Sequence, residues 1–587
     1  MKSVSPRRRR VGLTRLSVYV RDQRGRIAML ALAAAFTSAV QVGGWLLVRD
    51  AIDNGIRAHD TSRLDIDVAI YVAVNAVAWL VGSFLILGLA RLGQLIVLRL
   101  REHLFGHLTT LSLRYFSEQR AGWIISRITN DVDALSDVLS EGLSTLVGNV
   151  LTLSGAMIAL AILDWRLALA TMVILPPTLV VARWFQTRSH TAFADVRTRI
   201  SALTAHVAES LAGMAVIQSY NREGTFRKQF SELNRENQRS NQHAQNLSSL
   251  FFPAIELFGV IATVAVLALG SRLYENGTLT LGTLIAYIGL LSLLFQPLQE
   301  LSELYGQVQS AAAAMEKITT VLDVQADIAS PVDARRIERV DGHVALEGVT
   351  FAYGRDPVLH GIDLDVAAGS CVALVGRSGG GKSTLARLVG RFYDPREGTV
   401  RVDGDDLREI DLVHYRRQLG VVLQDPFLFA GSIADNLRFA APAASDELVE
   451  QTARAIGLDR VAARFSEGLD HAVREGGSGL SAGERQLISI GRALLADPRI
   501  LILDEATSNI DRPTEVLIEK ALDRLLHGRT SIVIAHRLAT VRRADEIVVL
   551  DRGRIVERGS EAELMAAGGQ FAALARDLAA PAPAVVD

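Results

Sequence analysis

The sequence predicts two unlike halves: a membrane α-helical domain with six transmembrane helices, followed by an α/β domain of the P-loop kind. Three observations carry that prediction. Six apolar stretches crowd the first 300 residues, a glycine-rich motif ending in Lys-Ser stands at Gly376–Ser383, and beyond residue 343 apolar strands alternate with helices. At 587 residues the chain exceeds the roughly 250–300 at which a single core stops growing, so several domains are required. Its mean hydropathy of +0.24 is high for a chain with 21% charged residues, because the value averages an apolar half and a polar half. A net charge of −2 says nothing by itself about nucleic acid, and no nucleic-acid partner is expected. The single cysteine, Cys371, excludes an intramolecular disulfide framework and any cysteine-based metal cluster.

The chain opens with four consecutive arginines, Arg7 to Arg10, ahead of its first apolar stretch. That stretch suits a membrane span better than a signal peptide's short apolar region, and it is read as retained. The spans are expected at Ile27 to Val48, Val68 to Leu89, Leu146 to Leu163, Leu167 to Ala182, Leu250 to Leu269 and Leu281 to Phe295. Each is close to the roughly 20 residues that a bilayer core requires, the fourth and sixth being the shortest. The N-terminus, Arg91 to Arg127 and Arg183 to Arg239 are rich in arginine, and all fall on one side of the membrane if the N-terminus is cytoplasmic. The positive-inside rule therefore gives one consistent orientation in a plasma (inner) membrane.

The two long cytoplasmic stretches are helical in period and read as continuations of the spans. Each is interrupted once, at Tyr115 to Gly122 and around Gly213, as short transverse helices shaped to touch a soluble domain would be. The membrane domain is expected over 1–321, a polar linker over 322–343, the α/β domain over 344–578 and a proline-containing disordered tail over 579–587.

Gly376-Arg377-Ser378-Gly379-Gly380-Gly381-Lys382-Ser383 has the spacing of a phosphate-cradling P-loop, between the apolar strand Cys371 to Val375 and a helix beginning at Thr384. Glycines let successive backbone N–H groups turn inward on anionic oxygens, and the helix N-terminus adds partial positive charge. Lys382 is placed to reach the β- and γ-phosphates and Ser383 to ligate Mg²⁺. Cys371, inside the preceding strand, reads as a packed small residue. The strand Ile500 to Leu503 ends in Asp504 and Glu505, a pair suited to holding the Mg²⁺ shell and to polarising an attacking water.

On these motifs residues 344 to 578 resemble the nucleotide-binding domain of an ABC transporter, and with six spans ahead of it the chain resembles a bacterial half-transporter of the exporter fold. The resemblance implies an α/β P-loop ATPase domain using ATP and Mg²⁺, with Gly376, Arg377, Ser378, Gly379, Gly380, Gly381, Lys382, Ser383 and Thr384 around the phosphates. It implies that Tyr353 stacks on adenine, that Gln424 is the Q-loop residue contacting Mg²⁺, that Glu475 lies in the X-loop, and that His536 is the switch histidine on the γ-phosphate. Ser481 and Gly483 belong to a signature motif that completes the ATP site of a second subunit. Here the signature departs from the family: Leu480-Ser481-Ala482-Gly483-Glu484 stands where Leu-Ser-Gly-Gly-Gln is expected, and Ser508-Asn509-Ile510-Asp511 also differs at its middle positions from the usual Ser-Ala-Leu-Asp.

A carboxylate at 484 near a triphosphate is unfavourable by Coulomb repulsion. A weakened signature would impair the partner's site while leaving the site built on Glu505 intact. This resembles the catalytic subunit of a heterodimer, which is favoured over a homodimer in which the departures are neutral. The implied activity is ATP-driven export of hydrophobic or amphiphilic compounds, drugs or lipids, with membrane lipid and a small hydrophobic substrate as partners. Import of siderophore-like cargo uses the same fold and is the alternative. Glu256, an acid inside the fifth span, either selects cationic amphiphiles or bonds to a neighbouring helix.

Overall fold

The computed structural model describes Tyr19 and residues 21–504, 510–535 and 537–579. These divide into two compact units. One runs to Thr109 and resumes from Arg120 to Val324; the other comprises Thr110–Gln119 together with the chain from Gln325 onward.

Among the described residues of the first unit, five helices are long and apolar enough to cross a bilayer: Arg21–Ile56, Thr61–Thr110, Ala121–Leu163, Trp165–Ala212 and Glu223–Glu275. Each contains one of the first five predicted spans. The sixth predicted stretch opens a 42-residue helix, Leu281–Leu322, but its apolar part ends early, at Leu281–Pro297, where Gln296, Gln299 and Glu300 bring in polarity. Side chains that would be untenable in water are turned outward on the spans. Trp79 is 71% exposed and Ile162 79% exposed, as expected for surfaces solvated by acyl chains rather than water. At a rise of 1.5 Å per residue, the 53-residue helix Glu223–Glu275 is about 80 Å long, far beyond the roughly 30 Å of a bilayer core, so much of it lies in water. Pro176, Pro177, Pro253 and Pro297 all sit inside continuous helices. Glu256 is exposed on its helix, to the side of the face that buries Ile255, Ala262 and Val266.

Polar groups fasten the helix ends. Asp164 caps Trp165–Ala212 by accepting hydrogen bonds from the backbone N–H groups of Arg166 and Leu167, at 2.8 and 3.1 Å. Asp53 accepts from Gly282 N–H at 2.8 Å and from the Thr280 hydroxyl, tying the start of the last helix to the end of the first. Farther along, buried Asp131 is held by Arg127 from its own helix and by the Lys317 ammonium at 3.1 Å from Leu281–Leu322. Both predicted interruptions are short helices, Leu113–Glu118 and Met214–Ser219.

The second unit holds three sheets. Strands β1 (Val344–Phe351), β2 (Leu359–Val366), β4 (Glu397–Val402) and β5 (Asp405–Asp406) form an antiparallel sheet in the order β2-β1-β4-β5. Strands β3 (Cys371–Val375), β6 (Leu419–Val422), β9 (Ile500–Asp504), β10 (Thr530–Ile534), β11 (Glu546–Asp551) and β12 (Arg554–Gly559) form the central sheet, in the order β12-β11-β3-β10-β9-β6. Only β12 is antiparallel in it. A short pair, β7 (Gly431–Ser432) and β8 (Ala472–Val473), lies outside. The parallel strands are apolar on both faces because both are covered. Val372, Leu374, Ile502 and Ile534 pack toward the antiparallel sheet and the helix Lys382–Val389. Cys371, Leu501, Leu503 and Val533 pack on the opposite side with Leu487, Ile490 and Leu522. Cys371 is thus a core residue, its thiol pushed up to about 12 by burial and, less, by nearby Asp545.

Close helix packing in the first unit generates a stability prediction. A Cβ placed on Gly289 would stand 2.2 Å from the Trp45 ring. Gly289→Ala should therefore destabilise the membrane unit by about 1–3 kcal/mol. Thermal unfolding in detergent should show a lower midpoint, recovered when Trp45→Leu is added.

Candidate nucleotide site

The site forms where the parallel strands end. In register, Ile534 of β10 lies between Leu374 of β3 and Asp504 of β9, so the loop after β3 and the acid ending β9 share one sheet edge. That edge, at the C-terminal ends of parallel strands, is where α/β sheets bind ligands. Glu505, Ser508, Asn509 and His536 follow these same strands and lie outside the described residues.

The loop is built by close backbone approach. Gly376 has φ +142°, and a Cβ there would be 2.0 Å from the Leu550 carbonyl oxygen of β11. Gly381 adopts φ +101° as the residue capping Lys382–Val389, a left-handed turn that brings the chain into the helix. Lys382 is 6% exposed, and its ammonium donates to the carbonyls of Gly376 at 2.7 Å and Arg377 at 3.0 Å. Burial pulls its pKa below the ordinary lysine value, while the Asp504 carboxylate pushes the other way. A buried cation folded onto carbonyls gains more from anionic oxygens in the same cradle. Ser383 is half-buried and Thr384 buried in the first turn of a helix that carries no acid there.

Tyr353 is joined to this cradle. Its hydroxyl lies 3.2 Å from the Thr384 hydroxyl and accepts from Arg387 at 3.3 Å. Its ring stands edge-on to Phe351 and Tyr393, with centroids 5.0 and 5.1 Å away, and it remains 37% exposed. A cavity of about 310 Å³ beside it is lined by Tyr353, Arg387 and Tyr393 and by Arg114, Ser117 and Glu118 of the short helix Leu113–Glu118. A second cavity, about 410 Å³, lies along Gly376 to Gly380 and is bounded by Asp551, Arg552 and the helix Gln570–Ala579. A pre-built cradle, a buried ammonium and an adjoining aromatic face fit a nucleoside triphosphate.

Gln424 is exposed just beyond β6, whose Val422 pairs with Leu503 of β9, so Gln424 and Asp504 leave adjacent strands. Ser383, Gln424 and Asp504 are hard oxygen donors of the kind Mg²⁺ takes beside phosphate oxygens. Among the described residues no cluster of three or more His, Cys, Asp or Glu could hold a metal. Glu475 is exposed in the turn Glu475–Gly477.

The signature helix, Ala482–Ala496, begins with a capping box. The Ser481 hydroxyl accepts from Glu484 N–H at 3.3 Å, and a Glu484 carboxylate oxygen accepts from Ser481 N–H at 2.9 Å. The other Glu484 oxygen pairs with Arg464, and the carboxylate is buried. The carboxylate expected to repel phosphate is therefore turned back into its own helix start and paired with a cation. Ser481 stays exposed. Gly483 is buried, and a Cβ on it would stand 2.5 Å from the Thr514 methyl and 3.0 Å from Ile510, so its own chain demands a glycine.

Sequence reasoning missed Arg464 and also Arg492, which donates to the Asn436 side chain at 2.9 Å and to the Phe427 carbonyl at 3.2 Å. Arg492 thereby fastens the segment following Gln424 to the signature helix. Both residues pair across long sequence separations, which leaves no local signal. Lys382→Ala should keep the fold while weakening ATP binding roughly 10- to 100-fold, the loss of charge-assisted bonds. Equilibrium titration with a fluorescent ATP analogue checks it.

Residues 27–298 match the family described as the ABC transporter transmembrane region, and residues 359–508 match the family described as ABC transporter. The chain is 32% identical to the ATP-dependent lipid A-core flippase of Syntrophus aciditrophicus (strain SB), over 92% of its own length and 89% of the flippase. It is 36% identical to a multidrug efflux ATP-binding/permease protein of Mycobacterium bovis (strain BCG / Pasteur 1173P2) over 94% of its length, and spans only 46% of that protein. A solved bacterial Atm1-family ABC exporter with ATP bound superposes with a TM-score of 0.80 at 28% identity, over 96% of this chain and 99% of that one. With the cradle's geometry and both family matches in agreement, the chain belongs to the ABC transporter family, as an exporter-fold half-transporter that couples ATP hydrolysis to transport.

Proposed function

We propose that this chain exports hydrophobic or amphiphilic compounds, drugs or lipids, across a bacterial plasma membrane as half of a dimer, with six spans and with its N-terminus and ATPase domain in the cytoplasm. The observation that carries the reading is the union in one chain of lipid-facing apolar helices and a cradle built around buried Lys382. Relatives named for lipid flipping and multidrug efflux support the substrate class, and a relative more than twice as long supports pairing with a second half-transporter.

In this reading ATP supplies the free energy when bound with Mg²⁺. Tyr353 would offer its ring to the base, residues 376–384 would cradle the phosphates, and Ser383, Gln424 and Asp504 would hold the cation, which would offset the charge of the phosphates. Glu505 orients the attacking water, and His536 holds the γ-phosphate end. Ser481, exposed at a helix N-terminus, faces the phosphates on the partner's P-loop. Closure of the paired ATPase domains turns the spans from inward- to outward-facing, and hydrolysis resets them.

A heterodimer, with this chain contributing Glu505, is the first reading of the dimer because its signature and D-loop depart from the family pattern. A homodimer is the second, favoured by one observation: Glu484 is capped and paired with Arg464, which leaves Ser481 free to bind phosphate. Expression without any second gene separates them, since a homodimer hydrolyses ATP alone.

Glu505→Gln should retain ATP binding and lower turnover by roughly 10²–10⁴-fold, as loss of a general base does. Full hydrolysis by that variant, or the absence of ATP-dependent lipid or dye movement in proteoliposomes of the wild type, would sink the reading. The exposed acid Glu256 on an apolar helix face favours cationic amphiphiles. Glu256→Gln should abolish stimulation of ATPase by cationic dyes and spare stimulation by zwitterionic lipids; equal loss for both would remove Glu256 from substrate selection.

A further inference from the structure

We propose that Arg464 is a positioning residue for ATP binding across the dimer: it cancels the charge of Glu484 so that a signature carrying a carboxylate accepts the partner's triphosphate. The proposal rests on the dimeric reading above and deepens it. A helix N-terminus carries roughly half a positive charge, which is what makes it attractive to phosphate. A full negative charge at the third residue of Ala482–Ala496 more than reverses that, leaving an N-terminus that repels the group it should bind.

The cap itself does not need the arginine. One Glu484 oxygen already accepts from Ser481 N–H, a bond that glutamine in the same position also makes. What Arg464 adds is charge. Its guanidinium meets the second Glu484 oxygen while its own side chain remains more than half exposed. Its helix-side bond to the Val461 carbonyl and its place over the Phe465 ring hold it there. The same cation also acts on Asp511, whose carboxyl is held below the usual range first by hydrogen bonds from Thr514 and to a lesser degree by Arg464. Asp511 caps the helix Arg512–Leu526, and Thr514 from that helix packs against Gly483 of the signature. One arginine thus pairs with the Glu484 carboxylate, which caps the helix start beside the exposed Ser481 hydroxyl, and acts more weakly on that of Asp511. Without it that patch would carry uncompensated negative charge toward the phosphates.

The test uses the full chain in nanodiscs, with whatever partner it purifies with and a Glu505→Gln background so that the closed state accumulates. The ATP concentration giving half-maximal closure of the two ATPase domains is read by pulsed electron paramagnetic resonance. R464Q should raise it roughly tenfold, and R464K, which keeps the charge, should stay within roughly twofold of the parent. E484Q should match the parent or close at lower ATP. The double variant R464Q/E484Q should return to within roughly threefold of the parent, because the charge to be cancelled is gone. A purely structural clamp would leave the double variant as impaired as R464Q, and that result overturns the proposal, as does an R464Q that closes like the parent. A parent that never closes on ATP overturns the dimeric reading, and this proposal with it.

Discussion

A buried ammonium organises the nucleotide site. Lys382 cannot remain charged inside a protein without compensation, and it finds that in two carbonyls of its own loop and in the field of Asp504. Those contacts require the loop to curl over the lysine, and the curl requires Gly376 to lie against the Leu550 carbonyl, where no side chain fits. The parallel register then does the rest, since β3, β10 and β9 end together and bring the loop and the acid to one edge. The shape of the cradle is thus set by the chain's own packing, and in the proposed reading the Lys382 ammonium would exchange these carbonyls for phosphate oxygens.

The first unit answers a different constraint. In hydrocarbon every backbone N–H and C=O must be satisfied within its own segment, which makes the spans helical and frees their side chains to be apolar on the outside. Helices of 48 to 53 residues extend that regularity past the roughly 30 Å of a bilayer core. Polar pairs tie the helix ends and the aqueous continuations, and a few also lie inside the spans, where Thr152 meets Ser38 and Gln41 and Thr171 meets Tyr287. Asp53 ties the end of the first helix to the start of the last, and Asp131 joins the third helical stretch to the last through Lys317. Removing Arg127 or Lys317 would leave the buried Asp131 carboxylate short of positive charge, so this contact holds the two helices in register.

The signature shows how a local rule and a tertiary contact can point in opposite directions. Read alone, a glutamate in place of an amide predicts repulsion of phosphate. In the folded chain the same carboxylate closes a capping box and meets Arg464, twenty positions earlier in the chain, and the repulsive group becomes part of a compensated pair. Gly483 carries a related lesson. Its missing side chain makes room for Thr514 and Ile510 of its own chain, a requirement that exists before any partner is considered.

By itself the sequence determined the division into an apolar half and an α/β half, the P-loop and the strand that feeds it, the acid pair after Ile500 to Leu503, and the two interruptions that became Leu113–Glu118 and Met214–Ser219. All of these rest on short-range pattern, in which spacing, apolar run length and glycine placement act over a few residues. Tertiary structure alone decided that Tyr353 is tied to Thr384, that Arg492 holds the segment after Gln424, and that Arg464 neutralises Glu484. The physical reason is that a charge or hydroxyl is satisfied by whatever the fold brings within about 3 Å, and pairing across tens of residues leaves no trace in the spacing of either partner.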